Sequence, residues 1–193
     1  MQKPLRSSAI PLFMLLCLGL FAGTGTPRTV DAAEWASPLV GGGGGSRTYS
    51  LDCGNGAVLT GLNFKSGLNL DSLSAICRKI NPDGTLGSTF TGPTTGGTGG
   101  FANTANCQAG KVAGSMTAWA GGVVNGIWLQ CYEWKPSTRK ISTSTTGGLM
   151  AGGQGGFKQG PFPCPDGKPA KALRGKSGIY VDSVRLICDD WDK

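Results

Sequence analysis

The sequence predicts an all-β fold of three similar sheets around a pseudo-threefold axis, and three observations predict it. Six cysteines fall into pairs of equal spacing, Cys53/Cys77, Cys107/Cys131 and Cys164/Cys188, each 24 residues apart. Each pair is introduced by a glycine signature of the form GGxGG: VGGGGGS at 40–46, TGGTGGF at 95–101 and AGGQGGF at 151–157. Apolar residues ahead of the second cysteine recur with period two, as in Leu73, Ala75 and Cys77, then Ile127, Leu129 and Cys131, then Val184, Leu186 and Cys188. A period of two is the pattern of strands, and closely spaced glycine turns exclude long helices. A unit of about 55 residues used three times therefore supplies about four short strands per copy, roughly twelve in all. Three sheets with one apolar face each bury those faces against one another, which makes a three-sided prism.

The chain opens with MQKPLRSS, two cations and no acid, followed by the apolar run AIPLFMLLCLGLFAG and the small, polar stretch TGTPRTVDAA. This is the order of a secretory signal peptide, residues 1–33, with cleavage near 32/33. The apolar run is too short for a membrane span, so no membrane insertion is expected and the mature protein is read as secreted. Cys17 leaves with the leader. Residues 34–193 then form one domain, with repeats at about 40–90, 95–140 and 150–193. The formal net charge of +7 falls to about +5 when the leader takes Lys3, Arg6, Arg28 and Asp31 with it. The remaining cations are scattered, so nucleic acid is not an expected partner. With no histidine in the chain, the commonest general base and metal ligand are missing; no cofactor is expected.

Aligned on their cysteines, the repeats read LDCGNGAVLTGLNFKSGLNLDSLSAIC, ANCQAGKVAGSMTAWAGGVVNGIWLQC and FPCPDGKPAKALRGKSGIYVDSVRLIC. Gly56, Gly110 and Gly167 share one column, and Gly67, Gly121 and Gly178 another. In an exported chain the repeated cysteines read as disulfides, and of the 15 possible pairings the threefold repeat selects Cys53–Cys77, Cys107–Cys131 and Cys164–Cys188. No close Cys-x-x-Cys pairs suggest zinc instead. Trp134 and Trp191, three residues after a second cysteine, are expected to pack in the core or between sheets.

The candidate functional column follows the second glycine. In Gly67–Leu68–Asn69–Leu70–Asp71 and in Gly178–Ile179–Tyr180–Val181–Asp182 a tight turn ends in a carboxylate at the start of a strand; the middle repeat has Asn125 there, in GGVVN. A carboxylate accepts two hydroxyl protons at once while neighbouring backbone N–H groups donate, which suits the vicinal hydroxyls of a sugar. Tyr180 offers an apolar face for pyranose C–H groups and a hydroxyl at its edge. The competing reading makes each Asp a turn residue bonded to its own backbone.

GGxGG loops, GxxxD turns and threefold repetition together resemble the jacalin-related lectins of the β-prism I fold, across residues 40–191. SGIYVD at 177–182 matches the fullest form of that turn, SGxYxD, in griffithsin-like members. The resemblance implies three four-stranded Greek-key sheets and hexose sites, often for mannose, completed by the glycine loop of the cyclically next unit. Asp182 would face Gly41 to Gly45, with Gly44 and Gly45 nearest; Asp71 would face Gly96 to Gly100, with Gly99 and Gly100 nearest; Asn125 would face Gly152 to Gly156. Asn125 departs from the pattern, which ranks the sites third, first, second. FPCPDG after GGQGGFKQG is also similar to the vitelline membrane outer layer proteins, components of an extracellular coat.

The expected partners are therefore glycans or glycoproteins, and exposed sheet edges allow a homodimer. The alternative is a disulfide-stapled coat protein without sugar binding. A glycan-cleaving enzyme would need two carboxylates in one cleft; Asp71 and Asp182 belong to different repeats, and Asp189, Asp190 and Asp192 form only a terminal charge run, so no enzyme is expected.

Overall fold

A computed structural model describes residues 34–189; the leader reading, Asp190, Trp191 and Asp192 lie outside them. Thirteen strands occur in this range: β1 (Trp35–Ala36), β2 (Val40–Gly41), β3 (Arg47–Asp52), β4 (Ala57–Ser66), β5 (Leu70–Ile80), β6 (Leu86–Gly96), β7 (Phe101–Asn106), β8 (Lys111–Ala120), β9 (Val124–Lys135), β10 (Lys140–Gly152), β11 (Phe157–Pro163), β12 (Ala170–Ser177) and β13 (Val181–Cys188). The expected dozen becomes thirteen because β1 and β2 share one edge of β13 as an interrupted strand. Several are longer than expected, up to 13 residues in β10. The one helical element among the described residues is the 3-10 turn Pro165–Gly167, and none is long and apolar enough to cross a membrane.

The strands form three antiparallel sheets. Sheet I has the order β6-β5-β4-β7 and sheet II the order β10-β9-β8-β11. In each, three strands follow one another by hairpins and the fourth returns beside the first, a Greek key. Sheet III has the order β1/β2-β13-β12-β3, the same pattern assembled from the two ends of the described chain. The period-two residues point inward as expected: Leu73, Ala75, Ile127, Leu129, Val184 and Leu186 are at most 1% exposed and belong to one core shared by the three sheets.

The sheets are out of step with the sequence repeats. The first repeat supplies β2 and β3 to sheet III but β4, β5 and β6 to sheet I. All three expected disulfides are present, and this offset makes each of them join two sheets. Cys53 follows β3 of sheet III and bonds Cys77 in β5 of sheet I; Cys107 follows β7 of sheet I and bonds Cys131 in β9 of sheet II. Cys164 follows β11 of sheet II and bonds Cys188 in β13 of sheet III, which closes the ring. Trp134 packs between sheets, with Val58, Val112, Tyr132 and Ile141, and its indole N–H donates to the Gly84 carbonyl at 2.7 Å.

Candidate functional site

The three GxxxD columns lie at equivalent hairpins. Each has a three-residue tip, 67–69 between β4 and β5, 121–123 between β8 and β9, and 178–180 between β12 and β13. Within each tip the glycine N–H donates to the carbonyl two residues on: Gly67 to Asn69, Gly121 to Val123 and Gly178 to Tyr180, at 2.9–3.1 Å. Leu68 and Ile179 at the tips stand in solvent, 92% and 74% exposed, whereas Leu70 and Val181 turn their side chains into the core. Of those last two, only the backbone can face a ligand.

Each glycine loop is the crossover between the two outer strands of its own sheet, so the Greek key carries it over the hairpin end. Gly42 N–H donates to the Asp182 carbonyl at 2.9 Å, Gly97 N–H to that of Asp71 at 2.8 Å, and Gly153 N–H to that of Asn125 at 2.9 Å. The next glycines come against the side chains. A Cβ on Gly44 would lie 2.6 Å from Asp182 Oδ1, and one on Gly45 2.6 Å from Oδ2. Gly99 and Gly100 stand in the same relation to Asp71, at 2.6 and 2.5 Å. Gly156 would meet Asn125 Oδ1 at 2.8 Å. Gly45, Gly100 and Gly156 also have φ of 71–76°, where side chains are strained. The loops pair with the turns as the resemblance implies, although loop and turn belong to one sheet.

Asp71 and Asp182 are 8% and 9% exposed, yet neither carboxylate accepts a hydrogen bond from any described residue. Asp182 Oδ2 is completely buried and unbonded. This geometry is the opposite of a turn-capping Asp such as Asp52, whose Oδ1 accepts from Gly54 N–H at 2.8 Å. A buried unsatisfied carboxylate oxygen is costly, by more than the roughly 1–3 kcal/mol of a neutral group. Beside it Tyr49 donates its hydroxyl to the Ser183 carbonyl at 2.9 Å. Burial, then the negative charge of Asp182, pushes the Tyr49 phenol well above its usual pKa.

The three hairpin ends interlock cyclically. A Cβ on Gly97 of sheet I would strike the Ile179 carbonyl of sheet III, and one on Gly42 of sheet III the Gly122 carbonyl of sheet II. Asn125 of sheet II completes the circle by donating its amide to Asn69 Oδ1 at 2.9 Å and to the Leu68 carbonyl at 3.2 Å. A groove of about 550 Å³ opens where sheets I and III meet, lined by Asp71, Gly96–Gly99, Gly178, Ile179, Tyr180, Ser46 and Arg47. Tyr180, expected to serve Asp182, thus lines the groove of Asp71. Arg47 is a site-lining residue the sequence reading missed. In the cysteine alignment it shares a column with the exposed Phe101 and with Lys158, and that mixed column did not mark it as a site residue.

Asp189, from the terminal acidic run, pairs with Lys171 at 3.6 Å with both side chains 8% exposed. Among the described residues no cluster of His, Cys, Asp or Glu could hold a metal ion.

A three-sided prism of Greek-key sheets with three equivalent turns at one end is an architecture shared with solved proteins. Neither a protein-family model nor a curated protein matches the sequence. Solved structures do match, among them a Malaysian banana lectin with a TM-score of 0.54 at 18% identity, covering 82% of this chain and 99% of that one. A mannose-specific jacalin-related lectin from Morus nigra, solved in complex with mannose, gives 0.57 at 19% identity, with 85% and 99% covered. A mannose-binding jacalin-related lectin from Ananas comosus gives 0.54 at 22% identity, with 81% and 98% covered. The fold is the β-prism of the jacalin-related lectins.

Proposed function

We propose that this protein is a secreted lectin that binds hexose glycans without cleaving them, through sites at Asp71 and Asp182. The observation that carries the reading is the pair of nearly buried carboxylates with no hydrogen bond from the described residues, each under two glycines. Hydroxyl donors from a ligand satisfy such acceptors, and the tip backbone supplies N–H groups beside them. Structural neighbours include lectins that bind mannose, which supports a mannose-type hexose. Asn125 spends its amide on the first hairpin tip, so the middle repeat's position acts as a clasp.

The groove beside Asp71 contains a single carboxylate, which favours binding over the paired-carboxylate chemistry of glycoside hydrolysis. One shallow site binds one sugar weakly, near 1 mM, and two sites on one branched glycan gain about 10²–10⁴ in avidity where the spacing matches. The six bridged cysteines and the apolar leader support export.

The test is a glycan array on the mature protein beside an Asp71→Ala/Asp182→Ala variant with unchanged thermal melting. Binding to mannose-type glycans that vanishes in the folded variant is the expected result. A flat array for the wild type, over simple and multivalent glycans, overturns the reading and leaves the rigid prism as an extracellular coat component.

A further inference from the structure

The outer face of sheet II breaks the repeat. At the positions aligned on the cysteines, Trp119 stands where the other repeats have Lys65 and Lys176, and Trp128 where they have Ser74 and Arg185. Met116, Ala118, Ile127 and Leu129 face the core, so the alternation of β8 and β9 puts Thr117, Trp119, Trp128 and Gln130 together on the opposite face. Thr117 lies directly across from Trp128, and Trp119 is its diagonal neighbour. Both indoles are only half-buried.

The ring of Trp128 is seated by a glycine. A Cβ on Gly148 of the neighbouring β10 would come within 2.6 Å of its Cε2 and 2.7 Å of its Cζ2, so only a glycine lets the indole lie over that strand. Trp119 is already partnered on its face: the Lys158 ammonium from β11 sits 5.8 Å from its ring centroid, within cation–π range. The two rings, Thr117, Gln130, Lys158 and Gln154 from the glycine loop line a groove of about 360 Å³. An aromatic floor with amide, hydroxyl and ammonium groups around it is a combination that apolar packing does not require.

We propose that this groove is a second carbohydrate site, distinct from the Asp71 and Asp182 positions, for a linear chain of pyranoses whose hydroxyls are all equatorial, of the β-1,4-linked glucose or N-acetylglucosamine kind. In such a ring the C–H bonds point to the two faces and the hydroxyls radiate from the rim. A face can lie on Trp128 while the rim meets Gln130, Gln154 and the Lys158 ammonium. The inference does not rest on Asp71 or Asp182 being sugar sites.

The experiment titrates cellohexaose and chitotetraose into the mature protein while following the tryptophan indole N–H resonances, assigned with Trp119→Phe and Trp128→Phe. One of the two sugars is expected to shift the Trp128 and Trp119 signals in the wild type and equally in Asp71→Ala/Asp182→Ala. Trp128→Ala should weaken it at least tenfold. Should Trp128→Ala not fold, Gln130→Ala/Gln154→Ala, with Gln154 on an exposed loop, should weaken it at least threefold while melting as the wild type. Unmoved indole signals with both sugars, or binding by folded Trp128→Ala or folded Gln130→Ala/Gln154→Ala within twofold of the wild type, overturn the proposal.

Discussion

Three adjacent glycines, Gly43, Gly44 and Gly45, allow the Asp182 site to be disturbed one contact at a time. A Cβ on Gly43 meets nothing within 4 Å; one on Gly44 meets only the Asp182 carboxylate, Oδ1 at 2.6 Å and Cγ at 3.5 Å; and neither glycine has a positive φ. Gly45, at φ +76°, adds backbone contacts with Ser177 at 2.9 Å to the carboxylate contact. In an Asp71→Ala background, which on the proposed reading leaves the Asp182 site alone, Gly43→Ala should be silent. Gly44→Ala pushes the carboxylate from its place and forfeits a charge-assisted hydrogen bond to the sugar, worth about 1.5–3 kcal/mol, or about 10- to 150-fold in Kd. The fold should not notice, because only a side-chain end must move. Gly45→Ala should weaken binding and also strain the backbone by about 1–2 kcal/mol, lowering Tm by about 2–8 °C. The assay is an NMR titration with methyl α-mannoside beside thermal melting of each variant. Equal binding by Gly43→Ala and Gly44→Ala would refute the reasoning, because the two differ only in contact with the carboxylate.

Opening the ring of disulfides with Cys164→Ser/Cys188→Ser should destabilise the prism by about 3 kcal/mol, read in chemical denaturation. Asn125→Asp removes two donated hydrogen bonds and sets a carboxylate against the Leu68 carbonyl and Asn69 Oδ1. It should cost about 1–3 kcal/mol in melting experiments and add no third sugar to the stoichiometry. The Tyr49 phenol, raised by burial and by Asp182, keeps its proton in the folded state at a pH where the unfolded chain loses it. Its contribution is therefore complete below the unfolded pKa of about 10 and is lost as pH rises toward the folded value. The stability difference between wild type and Tyr49→Phe should shrink between pH 9 and 11, as followed by denaturation.

Much of this architecture was legible because the repeat is a covalent and steric matter. The 24-residue spacing fixed the disulfide partners, the period-two runs fixed which residues face inward, and the GGxGG loops and GxxxD turns marked the same hairpin ends. What the sequence hid is the exchange of outer strands between neighbours. A repeat is read along the chain, whereas β3 pairs with β12 more than a hundred residues away, so the sheets and the inter-sheet role of each disulfide emerge only from tertiary pairing. The contact between the hairpin ends of sheets I and III likewise puts Tyr180 of the third turn in the groove of Asp71. Asn125 departs visibly from the Asp column, but its use as a clasp depends on Asn69, 56 residues earlier in sequence. The alternation of Ile127, Leu129 and Cys131 leaves Trp128 on the outward face, but only strand pairing shows that Trp119 shares that face and that Gly148 on a third strand seats the Trp128 ring.

The most direct measurement is a crystal structure of residues 34–193 grown with saturating mannose. Sugar hydroxyls within hydrogen-bond distance of the Asp71 and Asp182 carboxylates, with none at Asn125, is the expected result. Carboxylates that stay free of sugar at saturation, in a protein whose loops still cover them with Gly44–Gly45 and Gly99–Gly100, would contradict the lectin reading.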